Sequence, residues 1–142
     1  CLCDFPCMAF LEIAAFRSRD TRLMAICIAT ASGVMKVAAT SFVLSWTHSV
    51  EKVPWQEYWN VTSQGLVLSE ARIKGSGAGM DPPADAVLKN GWYVYHPQIP
   101  PRREIVLAAS GKTVGGWTLC SDQKCMELGR AEEKPIHIAP CR

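Results

Sequence analysis

Four polar residues lie close together at His48, Ser49, Glu51 and Glu57. A base, a hydroxyl and two carboxylates are the side chains that acid–base or nucleophilic chemistry uses. Their spacing argues against a direct Ser–His couple. On a strand His48 and Ser49 point to opposite faces, and no orienting acid or oxyanion hole is legible. A buried, hydrogen-bonded histidine on the apolar side of a strand fits better, with ligand binding as the alternative and hydrolysis behind it.

A second feature is GSGAGMDPP at residues 75–83. Glycine at alternate positions permits positive φ and close backbone approach, so Ser76, Gly77 and Gly79 are candidate ligand contacts. No Gly-Lys-Ser/Thr ending follows, and Pro82 and Pro83 suit a rigid loop better than a helix. A nucleotide cradle is therefore excluded. With His48, Ser49, Glu51 and Glu57, these three complete the candidate ligand-binding set; no residue is assigned a catalytic role.

Cys120 and Cys125 bracket a four-residue loop. If they face each other across a hairpin, their Cα atoms lie about 5.5 Å apart, within reach of a disulfide. The rival reading adds His137 and Cys141 as a zinc set, but its spacings match no common knuckle. The expectation is a Cys120–Cys125 disulfide, with no metal and no cofactor. The chain has seven cysteines; Cys1, Cys3, Cys7, Cys27 and Cys141 receive no role from spacing alone.

The elements that must carry these residues are strands. Phe42, Leu44, Trp46 and His48 alternate with Val43, Ser45, Thr47 and Ser49 across residues 41–50. Trp55, Glu57, Trp59 and Val61 alternate with Gln56, Tyr58 and Asn60 beyond Pro54. This is the period of a strand with one buried face. Trp55 and Trp59 flank Glu57 and belong to a core or line a pocket. Residues 66–74 read as a strand with Leu66 and Leu68 on one face and Val67, Ala71 and Ile73 on the other. Shorter strands are expected at 27–29, 33–37, 92–96, 104–109, 117–120 and 124–128, and Asn90-Gly91 is a strong hairpin-turn signal. Pro97, Pro100 and Pro101 make the intervening link extended. No helical spacing appears after residue 25. The fold expected is all-β, a small antiparallel sandwich or barrel-like domain.

The chain has 142 residues, 49% apolar and 20% charged, with a net charge of +2. That composition suits one globular domain and excludes disorder. Lys and Arg are scattered, without the basic stripe of a nucleic-acid binder. The organisation expected is an N-terminal segment at 1–25, one β domain at 26–128 and a C-terminal tail at 129–142. The apolar run at 7–16 is too short to span a bilayer. The chain starts at Cys1 rather than Met, so the run reads as the end of a signal or anchor, an upstream read-through, or an amphipathic helix.

WTHSVE at 46–51, PWQEYW at 54–59, GSGAGMDPP at 75–83, Gly91-Trp92, and WTLC at 117–120 with Cys125 together resemble the bacterial Domain of Unknown Function 1850 family. The resemblance covers about residues 26–128, in the family's order and spacing. It implies a small protein carried by an export signal or anchor to the periplasm, at the outer face of the inner membrane. It also implies gene neighbours encoding a fused TRAP permease with a TAXI-class solute receptor, either of which becomes an expected partner. Residues 1–22 do not resemble the family's N-terminal hydrophobic segment, and the tail has no match. The function expected is a non-enzymatic periplasmic accessory module. A small-ligand-binding domain with a pocket at His48, Glu51, Glu57 and the glycine loop is the alternative.

Overall fold

Three tryptophans on three strands mark one end of the larger sheet. Trp46 stands opposite both Trp55 and Trp117, because the alternation places all three on the same face. The rings of Trp46 and Trp55 stack at 5.6 Å, and those of Trp46 and Trp117 tilt at 4.8 Å. The computed structural model describes residues 24–75, 81–112, 115–122 and 124–142. The N-terminal run at 7–16 and the loop residues Ser76, Gly77 and Gly79 lie outside the described residues.

All regular structure among the described residues is β. In chain order the strands are β1 (Ala25–Thr30), β2 (Gly33–Ala38), β3 (Ser41–Thr47), β4 (Pro54–Thr62), β5 (Gly65–Ile73), β6 (Val87–Lys89), β7 (Trp92–Tyr95), β8 (Ile105–Leu107), β9 (Trp117–Ser121), β10 (Cys125–Leu128) and β11 (Ile136–Cys141). They form a seven-stranded sheet, β10-β9-β3-β4-β5-β7-β6, and a four-stranded sheet, β2-β1-β11-β8. Every pairing is antiparallel. Ile26, Ile28, Ile136, Ile138 and Leu107 of the smaller sheet meet Phe42, Leu44, Trp59, Leu66, Leu68 and Leu119 of the larger in one core. The architecture is an antiparallel β-sandwich, as expected; the sheets are not closed into a barrel. Asn90 and Gly91 take φ of 50° and 82° and join Lys89 to Trp92 in a two-residue turn whose twist matches its strands.

Three sequence expectations need correction. Strand β3 ends at Thr47, not at residue 50. His48 closes a turn instead: its N–H donates to the Val53 carbonyl and its own carbonyl accepts from Lys52 N–H, both at 3.0 Å. On β5, strict alternation separates Leu66 and Leu68 from Ala71 and Ile73, yet all four are buried. A bulge is the reason. Tyr58 pairs with Glu70 and Trp59 with Leu68, so Ser69 is extra and the second half of the strand changes face. The Ser69 hydroxyl donates to the Tyr58 carbonyl at 3.0 Å and the His96 ring donates to the Ser69 carbonyl at 2.9 Å. Finally, residues 129–142 are not a tail. They include β11, which lies between β1 and β8, is buried at Ile136 and Ile138, and is joined to β1 by a Cys27–Cys141 disulfide.

Candidate functional site

The position of Glu57 follows from register. It lies opposite Leu44 on one side and Ala71 on the other, and Ala71 in turn faces Tyr95. All four therefore share the inner face of the larger sheet. An ionisable side chain thus occupies a row that is otherwise aliphatic or aromatic, between Trp55 and Trp59 along its own strand.

Residues 96–104 form a strap from β7 across to β8 on the other sheet. Leu66 and Arg102 hold it by two backbone hydrogen bonds, at 2.7 and 2.8 Å. Gly65 makes this approach possible. A Cβ there would sit 2.4 Å from the Arg102 carbonyl oxygen, and the φ of +124° is itself a glycine conformation. Prolines at 97, 100 and 101 keep the strap extended.

Between strap, β8 and the inner face lies a cavity of about 450 Å³. Its polar lining is Glu57, Arg102 and Glu104; Leu44, Leu68, Ile99, Ile105, Leu107 and the indoles of Trp59 and Trp117 supply most of the rest. The volume is in the range of small-molecule sites.

Within it, the Trp59 indole N–H donates to Glu57 Oε2 at 3.0 Å. Burial raises the Glu57 pKa from its ordinary value, while the Trp59 hydrogen bond and the positive charge of Arg102 act in the other direction. Tyr95 is also raised, first by burial and then by the Glu57 charge. Glu104 Oε2 accepts from the His137 ring at 3.1 Å, so that carboxylate has a partner on β11. Trp117 is fixed by its indole N–H, which donates to the Ala108 carbonyl at 2.9 Å. The Trp55 indole nitrogen is buried without a hydrogen-bond partner.

Of the candidate ligand-binding residues that are described, Glu57 lines this cavity and His48, Ser49 and Glu51 do not. His48, Ser49 and Glu51 lie in the β3–β4 turn, about four strand positions beyond Leu44 and hence roughly 13 Å away along β3. There the His48 Nδ1 accepts from the backbone N–H groups of Val50 and Glu51 at 3.3 Å, a turn-capping arrangement. His48 and Glu51 thus do not line the cavity that Glu57 lines, and the glycine-loop residues expected beside them lie outside the described residues. His48 is half-buried and hydrogen-bonded, on the turn rather than on a strand face. The described start of the glycine loop does adjoin this turn: Lys74 N–H donates to the Pro54 carbonyl at 3.0 Å, and Gly75 packs beside Val53.

Sequence reasoning missed Arg102, Glu104, Tyr95 and Trp117. A long, proline-rich link carrying charges between two strands was the available signal for the first two. Cys120 and Cys125 are directly opposed on β9 and β10 and form the expected disulfide, with Cα atoms 4.0 Å apart. This overturns the zinc alternative, since Cys141 is bonded to Cys27 and His137 to Glu104. No cluster able to hold a metal occurs among the described residues.

The fold and site together define a two-sheet antiparallel sandwich with a carboxylate set into its inter-sheet cleft. The chain belongs to the domain of unknown function (DUF1850) family, whose model matches residues 42–128. No curated protein and no solved structure matches it. The matched span runs from β3 to the end of β10 and contains every lining residue of the cleft. Strands β1, β2 and β11 lie outside it. Among the described residues there are two disulfides, a bond typical of oxidising compartments, and no helix long and apolar enough to cross a membrane.

Proposed function

We propose that this protein is a non-catalytic extracytoplasmic module that binds a small ligand in the cleft at Glu57. One observation carries the reading: an ionisable carboxylate stands on the inner face of a sandwich, at a cavity of about 450 Å³, with one indole as its hydrogen-bond donor among the described residues. Glu57 is half-buried, and holding a carboxylate partly out of water against apolar neighbours costs stability unless it is paired, so its position favours a ligand-facing role. The non-catalytic reading rests on the sequence, in which no nucleophile–base couple or oxyanion hole is legible. The family resemblance supplies a setting: an accessory of a TRAP-type transporter, placed in the periplasm and meeting the permease or its TAXI-class receptor.

Two measurements test this. Gentle denaturation of freshly purified protein followed by mass spectrometry should release a small molecule, and Glu57→Leu should lose it. If the folded parent carries nothing and no metabolite panel at millimolar concentration shifts its melting, the binding reading is wrong. For the setting, a tagged copy at native expression should bring down the permease or the receptor. Recovery of neither, with uptake unchanged on gene deletion, would remove the transporter association.

A further inference from the structure

Resting on that binding reading, we propose that the cleft takes a small zwitterion with an apolar side chain. Its ammonium group lies at Glu57 and its carboxylate at Arg102. An α-amino acid with an aliphatic side chain is the simplest such molecule.

Each half of the cleft supplies one part of the argument. At Glu57 only Oε2 has a protein donor, the Trp59 indole; Oε1 has none among the described residues. A carboxylate accepts at two oxygens with several lone pairs, so Oε1 is open to a donor brought by the ligand. An ammonium group satisfies it and removes the penalty of holding a negative charge among Leu44, Ala71 and the indoles.

Arg102 is complementary. Its backbone is fixed by both hydrogen bonds to Leu66, yet no hydrogen bond or ion pair engages its guanidinium among the described residues. The positive charge acts on Glu57 through space without forming a salt bridge to it. Five N–H donors on an anchored residue at the cavity wall suit a planar carboxylate. Glu104 lies in the same lining with its Oε2 held by His137, so Arg102 is the one cationic group among the described lining residues and Glu57 is the carboxylate set between the indoles. A ligand with only a positive group leaves the guanidinium unused, and one with only a negative group brings a second anion beside Glu57.

The remaining walls set the side chain. Leu68, Ile99, Ile105 and Leu107 are aliphatic, which favours a branched or linear hydrocarbon. Glu104 in the same lining disfavours a second carboxylate on the ligand, so acidic amino acids bind less well.

Calorimetry of the intact protein at pH 7.5 tests this with four probes. These are L-leucine, 3-methylbutylamine (leucine without its carboxylate), 4-methylpentanoate (leucine without its amine) and L-glutamate. Leucine should bind, and each of the other three should bind about tenfold or more weakly, the effect expected of one lost charge-assisted hydrogen bond. Glu57→Gln and Arg102→Gln should each weaken leucine by a similar factor. Circular dichroism of both variants shows whether they remain folded; if either does not, Glu57→Asp and Arg102→Lys take their place. If a truncated probe binds as well as leucine, the zwitterion assignment falls while the cleft stands as a binding site. If none of the four binds, the assignment also falls, and the mass-spectrometric search for a carried ligand decides the broader reading separately.

Discussion

The Trp59 indole N–H and the Glu57 carboxylate meet at 3.0 Å, two residues apart on one strand and therefore on one face. Trp59 is buried, and its indole is the side-chain donor that favours the charged form of Glu57. Trp59→Phe keeps an aromatic ring but removes that donor. We expect a loss of roughly 1–3 kcal/mol in urea unfolding at pH 8, the cost of stranding a buried polar group. The loss should shrink at pH 5, where Glu57 takes up its proton more readily. An equal loss at both values would mean that the bond contributes packing alone.

Glu57 itself gives a pH signature with a definite sign. Its folded pKa is raised above the ordinary value of 4.5, chiefly by burial, so the folded state holds the proton to higher pH than the unfolded state. In that window the folded protein binds more protons, and stability falls as pH rises. Below the ordinary value both states are protonated and the contribution levels off; above the folded pKa the full penalty is present. Glu57→Gln has no such penalty. Its melting temperature should exceed the parent's at pH 8, with the gap closing towards pH 4.5. A gap independent of pH would contradict the assignment.

Gly65 controls the strap. With a Cβ held 2.4 Å from the Arg102 carbonyl oxygen and φ at +124°, Gly65→Ala must move either residue. We expect a loss of about 2 kcal/mol or more, together with weakened ligand binding because Arg102 is displaced. Gly33→Ala has a comparable φ of +135° but meets open space. It should cost less and leave binding unchanged, so the pair separates collision from backbone strain.

The two disulfides should differ in their effect on stability. Cys27 and Cys141 are 114 residues apart in sequence, Cys120 and Cys125 only five. In the loop-closure account the long crosslink contributes about 5 kcal/mol and the short one about 2 kcal/mol. Denaturant unfolding of Cys27→Ser/Cys141→Ser should therefore show the larger drop, relative to Cys120→Ser/Cys125→Ser. The reverse order would show that native geometry, not chain entropy, dominates.

His48→Ala separates the turn from the cleft. The change removes the acceptor for two backbone N–H groups in the β3–β4 turn, for an expected cost of about 1 kcal/mol. Ligand binding at Glu57 should be unaffected. A large loss of affinity with melting unchanged would return His48 to the binding site.

Much of this molecule was legible from local pattern. Alternation placed Trp55, Glu57, Trp59 and Val61 on one side of β4, and the structure keeps them there. Asn90-Gly91 specified its own turn, because few residue pairs accept two successive positive φ values. Cys120 and Cys125 were close enough in sequence for a hairpin to set them opposite each other. These features depend on backbone conformation and on period, both properties of short stretches.

Long-range contact decided the rest. One bulged residue, Ser69, reversed the inward face of half a strand, and nothing in the local alternation of β5 announces it. The residues after 128 looked polar and unattached until β1 and β8 supplied their partners, since a strand's hydrogen bonds are completed only by distant chain. Above all, the sequence placed Glu57 beside His48, its near neighbour in number, whereas the fold set it facing Arg102, forty-five positions away. The strap's two hydrogen bonds to Leu66, permitted by the missing side chain of Gly65, made that difference.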